Sequence, residues 1–311
     1  MVISKTPMRV SIIGGGTDYP SYYKKNDYGC VISIAIDVYV YVIVKNRRDS
    51  DIAINWSQHE RVTEVDEIKH ELIREAMRLL RISDGIEITT ISDIDSQGSG
   101  LGSSSAVLVG VLNALHAYKG DVDITPERLA VEATYIEQQI LHKPIGLQDA
   151  WPCAIGGINY YRFYPNDDCV HYPVDIAIDE LVLFKCGLAR QSDEICAQTG
   201  ENAEANNKIL NEMKYATEDL AKGMIKLRYA LAQGWELKKQ LCENISNPTV
   251  DKHVKALQTS GAWACKLCGS GASGYILACT NPKNHNFLRG MTPLQCLPIN
   301  VSKGSEIIYN G

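Results

Sequence analysis

The sequence is short of most features that place a protein quickly. It has no excess of basic charge. Over 311 residues the formal net charge is −6, so no footprint for nucleic acid is visible at the level of the whole chain. It has no apolar run of bilayer-spanning length, and no membrane partner is expected. The longest apolar stretch, CVISIAIDVYVYVIV (Cys30–Val44), is β-branched, is broken by Asp37 and is too short to cross as a helix. Its alternation and length predict two strands joined near Asp37. The opening MVISKTPMRV lacks the pattern of a signal peptide. Ten cysteines are scattered, and Cys265-x-x-Cys268 has no second Cys or His pair at zinc spacing. They are expected to be small, buried, reduced residues of a cytoplasmic protein. Internal repeats and low-complexity tails are missing too, and no feature specifies an oligomeric state.

Three common motifs are also lacking. A P-loop needs a Lys after its glycines, and none follows Gly98–Gly102. The segment GSGASG (Gly269–Gly274) spells G-x-G-x-x-G, but the YILACT after it reads as a strand where a dinucleotide fold needs a helix. The G-x-S-x-G hydrolase elbow is absent around Ser103–Ser105.

What is present is a loop of unusual composition. In DIDSQGSGLGSSSAVLVGVLNALHAYKG (Asp93–Gly120), seven of the eight residues from Gly98 to Ser105 are Gly or Ser, directly before an apolar helical pattern. Such a loop has no bulky side chains to hold its backbone away from a ligand. The helix behind it offers unpaired N–H groups and a positive dipole end. Together they make an anion site, and phosphate is the common biological anion for it.

Elsewhere, VISKTPMRVSII reads as a strand with a Pro irregularity, ending at the turn GGGTDYP (Gly14–Pro20). A short strand near DIAINW, a helix from about Asp66 to Leu80 and the strand GIEITTIS precede the loop. TPERLAVEATYIEQQIL is a helix with Thr125 as N-cap and Pro126 at its first position. HKPIGLQDAW reads as a loop and GGINYYRFY as a strand. The polar, turn-rich YPNDDCVHYP suggests a domain boundary nearby. Then come the strand ELVLFKCGLAR, helices over about Ser192–Leu241, the helix NPTVDKHVKALQTSG, a strand–turn–strand in AWACKLCGSGASGYILACT, and a last strand SEIIYNG. Strands and helices mix without regular βαβ repetition, so the expected class is α+β.

GSGLGSSSA resembles the phosphate-binding signature of the GHMP small-molecule kinases. TPMRVSIIGGGTDYP resembles that family's first motif in its sugar-kinase form, and KLCGSGASGYIL its third, Gly-rich motif. GGGTDYP, PIGLQDAW, GLAR, WELKK and ISNPTVD are most similar to the D-glycero-D-manno-heptose 7-phosphate kinases and their L-fucokinase relatives. The resemblance spans the chain. It implies a two-domain fold, a mixed α/β N-terminal domain (residues 1–175) with a ferredoxin-like α+β C-terminal domain (residues 176–311), and an active site between them.

It also implies phosphoryl transfer from ATP to a sugar hydroxyl, foremost the anomeric hydroxyl of a heptose 7-phosphate. A fucose- or galactose-like acceptor is the enzymatic alternative. A catalytically idle relative that senses sugar or nucleotide is the other. On the resemblance, Gly98, Ser99, Gly100, Leu101, Gly102, Ser103, Ser104 and Ser105 cradle the ATP phosphates, and Ser104 and Glu137 hold Mg²⁺. Asp149, twelve residues after Glu137, accepts or orients the proton of the attacking hydroxyl. Arg9 steadies the transferring charge beside it. Gly15, Gly16, Thr17 and Asp18 match the sugar-binding turn. Galactokinases carry Glu-His where this chain has Gly15 and Gly16, which makes room for a bulkier sugar. A phosphorylated acceptor needs a second anion site. Arg190, just before the helix-capping Ser192, is expected to supply it, ahead of Lys238 and Lys239, whose pairing on a helix reads as a solvated face. Ser270, Ala272 and Ser273 interrupt a third motif that is nearly all Gly in the heptose kinases, at a cost of about 1 kcal/mol wherever the backbone needs φ > 0.

Overall fold

Two antiparallel-rich sheets organise the chain in a computed structural model that describes residues 1–95, 98–187, 192–272 and 274–311. The first sheet contains β1 (Val2–Ile13), β2 (Gly29–Asn46), β3 (Ile52–Asn55), β4 (His59–Val62), β5 (Ile86–Ser92), β6 (Ile158–Phe163) and β7 (Cys169–Pro173). The second contains β8 (Leu181–Lys185), β9 (Ala264–Leu267), β10 (Tyr275–Cys279) and β11 (Cys296–Pro298). The last strand, β12 (Glu306–Asn310), leaves the second sheet and returns to the edge of β1. The first sheet runs β12-β1-β2-β5-β3-β4, with β6 beside β2 and β7 beside β6; the second runs β11-β8-β10-β9. Among the described strands only β3 and β5 pair in parallel.

The expected break of Cys30–Val44 into two strands does not occur. β2 is one strand of 18 residues. The irregularity is taken up as a bulge: Pro7 pairs with Tyr39 and the next residue, Met8, with Ile36, which leaves Asp37 and Val38 out of register. Pro7 has no N–H to offer the ladder, and an extra pair of residues on the partner accommodates it. The Asp37 carboxylate accepts the Asn300 N–H and the Asn300 side-chain amide, both at 2.7 Å, so it anchors the bulge and does not start a turn. The two halves of β2 then serve different neighbours, Val40–Asn46 pairing with β5 and Gly29–Ile34 with β6.

The helix Ser103–Lys119 packs on β1 and β2 and is buried on most of its circumference, as its all-round apolar sequence requires. Thr125 caps Pro126–Tyr135 as expected, its hydroxyl accepting the Arg128 N–H at 3.2 Å. That helix continues into a π-helical turn, Ile136–Ile140, which the sequence does not announce. The helix expected from Asp66 starts at Glu71, because His70 accepts the Ile73 N–H and caps it there. The end of HKPIGLQDAW coils into a short helix, Ala150–Ile155. YPNDDCVHYP makes the turn of the β6–β7 hairpin, where the Tyr164 N–H meets the Asp168 carbonyl at 2.9 Å. In the second half, Leu227–Lys238 and Pro248–Thr259 pack against β9, and one continuous apolar core joins both sheets. No disulfide joins the cysteines among the described residues. Among the described residues no helix is long and apolar enough to cross a membrane.

Candidate active site

The Gly/Ser loop owes its shape to alternation. Gly98, Gly100 and Gly102 take left-handed φ values of 66°, 74° and 69°, separated by Ser99 and Leu101. Alternating hands along a short loop turn successive N–H groups inward and make a concave anion nest. Leu101 buries its side chain in the core and fixes the loop from below. The helix begins at Ser103 behind Gly102, a residue with no side-chain oxygen to cap its first N–H groups. The loop is braced by the other glycine turn. A Cβ on Gly100 would lie 2.6 Å from the Cys268 carbonyl oxygen and 3.1 Å from the Gly269 nitrogen, so the two backbones touch. The Tyr275 N–H also donates to the Ser99 carbonyl at 3.2 Å. Within the third motif, Ala272 does adopt φ 64°, held by its N–H to Ile245 and its carbonyl to Asn247; Ser273 lies outside the described residues.

Arg9 connects this cradle to Asp149. It sits on β1, 3% exposed, and its main-chain N–H donates to the Leu101 carbonyl at 2.9 Å. Its Nη1 donates to the Gly100 carbonyl at 2.8 Å, while Nε and Nη2 reach Asp149 Oδ1 at 3.1 and 2.5 Å. Burial pulls the guanidinium pKa down, the Asp149 carboxylate pulls it up, and the net shift is upward. Both contacts fall on Oδ1. Among the described residues nothing bonds Oδ2, and the Asp149 side chain keeps 25% exposure.

Glu137 lies in the π-helical turn, 1% exposed. π turns occur mostly as single-turn bulges in α-helices, frequently at functional sites. Ser105 donates to Glu137 Oε2 at 2.8 Å and Ser104 to Oε1 at 3.5 Å. The expected pair Ser104–Glu137 is therefore brought together, and Ser105 joins it. Burial raises the Glu137 carboxyl pKa to about 7, with the Asp149 charge adding to the effect. No group of three or more His, Cys, Asp or Glu side chains among the described residues is placed to hold a metal ion.

These elements open onto one cleft of about 840 Å³. Arg9, Gly14–Gly16, most of the Gly/Ser loop, Gln148 and Asp149 line one wall, and Thr199, Lys238, Ile245, Lys266 and Gly269 the other. Thr17 and Asp18, expected at the sugar, are fully buried and line none of it. The Thr17 hydroxyl donates to the Gly14 or Cys30 carbonyl, both at 2.8 Å, and accepts the Cys30 N–H at 2.9 Å. Asp18 accepts from the Gly16 N–H, the Gln148 N–H and the Gln148 amide at 2.9, 3.1 and 3.2 Å. Both side chains hold the turn in shape, and they leave Gly15, Gly16 and Gln148 facing the space. Among the described residues, Gln148 Oε1 has no hydrogen-bond partner. Arg190 lies outside the described residues.

Lys266 has no place in the sequence reading, and Lys238 enters it only as a candidate ranked behind Arg190. Lys238 turns into the cleft, and Lys266, 5% exposed, donates to the Ser11 and Ile12 carbonyls, both at 2.9 Å. Burial lowers their pKa values to about 8 and about 7. The signal for Lys266 was there, a lone cation in the apolar strand ACKLC. Lys239 stays outside, paired with Glu236 at 2.9 Å.

Asp18 makes a pH prediction. Burial, with the Asp149 charge, raises its pKa to about 6 against the hydrogen bonds that hold it down. A carboxyl with a raised pKa binds its proton more tightly in the folded state. Its contribution to stability is complete below the unfolded value, roughly pH 4, and is lost as the pH climbs through about 6. Two pH units correspond to about 3 kcal/mol. The difference between the Tm curves of wild type and Asp18→Asn should therefore slope across this window. A flat difference would show that Asp18 is not protonated on folding.

The fold and this site are similar to those of the GHMP kinases, a class of phosphoryl-transfer enzymes. The model of the GHMP kinases N terminal domain matches residues 69–157. Among individual proteins, the chain is 27% identical to the D-glycero-alpha-D-manno-heptose 7-phosphate kinase of Campylobacter jejuni, over 93% of this chain and 92% of that one. A D-glycero-D-manno-heptose 1-phosphate kinase structure from Bacteroides thetaiotaomicron superposes with a TM-score of 0.73 at 22% identity, over 99% of both chains. Lactococcus lactis galactokinase complexed with galactose gives 0.79 at 16% identity, over 98% of this chain and 94% of that one. At these identities the two structures speak for the fold.

Proposed function

We propose that the protein transfers the γ-phosphoryl group of ATP to a sugar hydroxyl, with the anomeric hydroxyl of a D-glycero-D-manno-heptose 7-phosphate as the preferred acceptor. The observation that carries this reading is the Arg9 bridge, one buried guanidinium bonded both to the cradle at Gly100 and to Asp149. It sets a carboxylate oxygen, Asp149 Oδ2, next to where a phosphoryl group would lie. In the step we assign, the acceptor hydroxyl oxygen forms a bond to the γ-phosphorus and the bond to the β–γ bridging oxygen breaks. The hydroxyl proton passes to Asp149, and ADP leaves. Arg9 keeps the carboxylate in place and offers charge to the transferring group.

The two walls of the cleft correspond to the proposed domains, residues 1–175 and 176–311. Gly15, Gly16 and the unpartnered Gln148 Oε1 are proposed to meet the sugar, with Thr17 and Asp18 acting through the turn. Arg190 stays the proposed contact for the acceptor's own phosphate. Trp56, His70 and Leu72 line the cleft as an apolar and aromatic surface that suits a nucleobase.

The donor set fits Mg²⁺. Ser104 and Glu137 supply hard oxygen ligands beside a phosphate nest, and a site of this kind needs few protein ligands because the ion keeps several waters. Held there, Mg²⁺ would neutralise charge on the ATP phosphates. Ser104→Ala and Glu137→Gln should each raise the Mg²⁺ concentration for half-maximal activity. Superimposable titrations for both variants and wild type would remove these residues from the metal site.

ADP release measured over a panel of sugars and sugar phosphates tests the function itself. Turnover is expected with a heptose 7-phosphate. Turnover only with an unphosphorylated hexose or fucose would shift the acceptor class, and none with any sugar would leave a sensor.

A further inference from the structure

The protein is acidic overall, yet its cleft is not. Among the described residues, four cationic side chains line it, Arg9, Lys143, Lys238 and Lys266, against one carboxylate, Asp149. Lys143 is paired with Glu71 at 2.7 Å and Arg9 with Asp149. Lys238 has no carboxylate partner among the described residues. Its Nζ donates to the Leu267 and Gly269 carbonyls, at 3.1 and 2.5 Å. An ammonium has three donors, and a half-buried cation without a counter-charge carries part of the cost of desolvation. Burial, with repulsion from Arg9, accordingly holds this lysine down to about 8.

The position of Lys238 tells which anion would relieve it. Gly269, whose carbonyl it grips, lies backbone to backbone against Gly100. Gly100 is also where Arg9 meets the cradle. Arg9, from the first sheet, therefore meets the phosphate loop directly at Gly100, and Lys238, from the helix Leu227–Lys238 on the second, is tied to it through Gly269. Asp149, which must face the acceptor, stands on the Arg9 side.

We propose that Lys238 is a further catalytic residue, whose ammonium contacts the terminal phosphate of the nucleotide and carries its charge as it passes to the acceptor. This rests on the ATP-dependent reading above. The group transferred and the fate of the proton are unchanged, with Asp149 taking the hydroxyl proton and Lys238 keeping its own. Lys266, fixed on the Ser11 and Ile12 carbonyls, stands beneath it on that wall.

The test compares wild type with Lys238→Met, Lys238→Gln and Lys238→Arg, using calorimetric binding of ATP and of ADP alongside steady-state kinetics. In the Met and Gln variants the preference for ATP over ADP should disappear while ADP binds as in wild type. Their kcat should fall by roughly 10²-fold or more, as for loss of one donor to a developing charge, with the acceptor KM within a few-fold. Lys238→Arg should recover part of kcat. An unchanged ATP preference would overturn the proposal. So would a rise in KM confined to phosphorylated sugars, which would move Lys238 to the acceptor's phosphate. Unfolding of both the Met and Gln variants would make it a structural residue and also overturn the proposal. If wild type binds no nucleotide, the proposed function fails and takes this assignment with it. If wild type binds ATP and the variants keep its preference, only the assignment fails.

Discussion

Asp149→Asn is expected to leave a folded protein that binds ATP normally and turns over at least roughly 10²-fold more slowly, the range for losing a general base. The amide matches the carboxylate in size, and its oxygen can still accept from Arg9, so the guanidinium keeps its tie to the Gly100 carbonyl. What disappears is the basic Oδ2 that faces the cleft. The effect should therefore fall on kcat, with KM for both substrates within a few-fold. Arg9→Met makes the contrasting case, because it breaks the tie to the cradle as well as the ion pair. Turnover of Asp149→Asn near wild type would take this carboxylate out of the proton path.

Gly100→Ala should produce the other large effect, and by a different route. The added methyl would enter the backbone of Cys268 and Gly269, which has no flexible end to move aside. The residue must also hold φ 74°, which costs an L-residue roughly 1–2 kcal/mol. Overpacking adds about 1–3 kcal/mol. The two glycine loops must separate or the protein must bear that strain, and ATP affinity should fall by roughly 10²-fold for each 2.7 kcal/mol that reaches the bound state. Gly120→Ala is the control. It has a similar φ of 80° but open space around it, so only the backbone cost applies and nucleotide binding should stay intact. Equal effects from the two substitutions, on stability and on ATP binding, would show that the loop contact has no special weight.

The sequence made the cradle legible because its physics is local. Alternating glycines next to a helix start, with Leu101 as anchor, state their geometry within eight residues. Asp149 and Glu137 were found through resemblance, and the contacts around them could not be read from spacing. The Arg9–Asp149 pair spans 140 positions and the Ser105–Glu137 pair 32. The single strand β2 was misread because Asp37 looks like a turn residue, and its partner Asn300 is far along the chain. Lys238 was misread for a related reason. A Lys-Lys pair on a helix looks solvated, and only the packing of that helix on β9 turns one of the two inward. Thr17 and Asp18 show the opposite limit. Their motif was recognised, but whether a polar side chain in a turn points to ligand or to backbone depends on neighbours such as Cys30 and Gln148.

The return of β12 to the first sheet has a consequence for how the molecule is made. Val2–Lys5 find their outer neighbour in Glu306–Asn310, about three hundred residues later. During synthesis the first sheet can assemble around β2 while the open side of β1 waits, a row of unsatisfied N–H and carbonyl groups. That row is a template for any passing strand. At roughly 5–20 residues per second, the exposure lasts from the making of β2 until β12 has been made. Nascent chains of this protein should need shielding for longer than those of a protein whose first sheet closes on itself early.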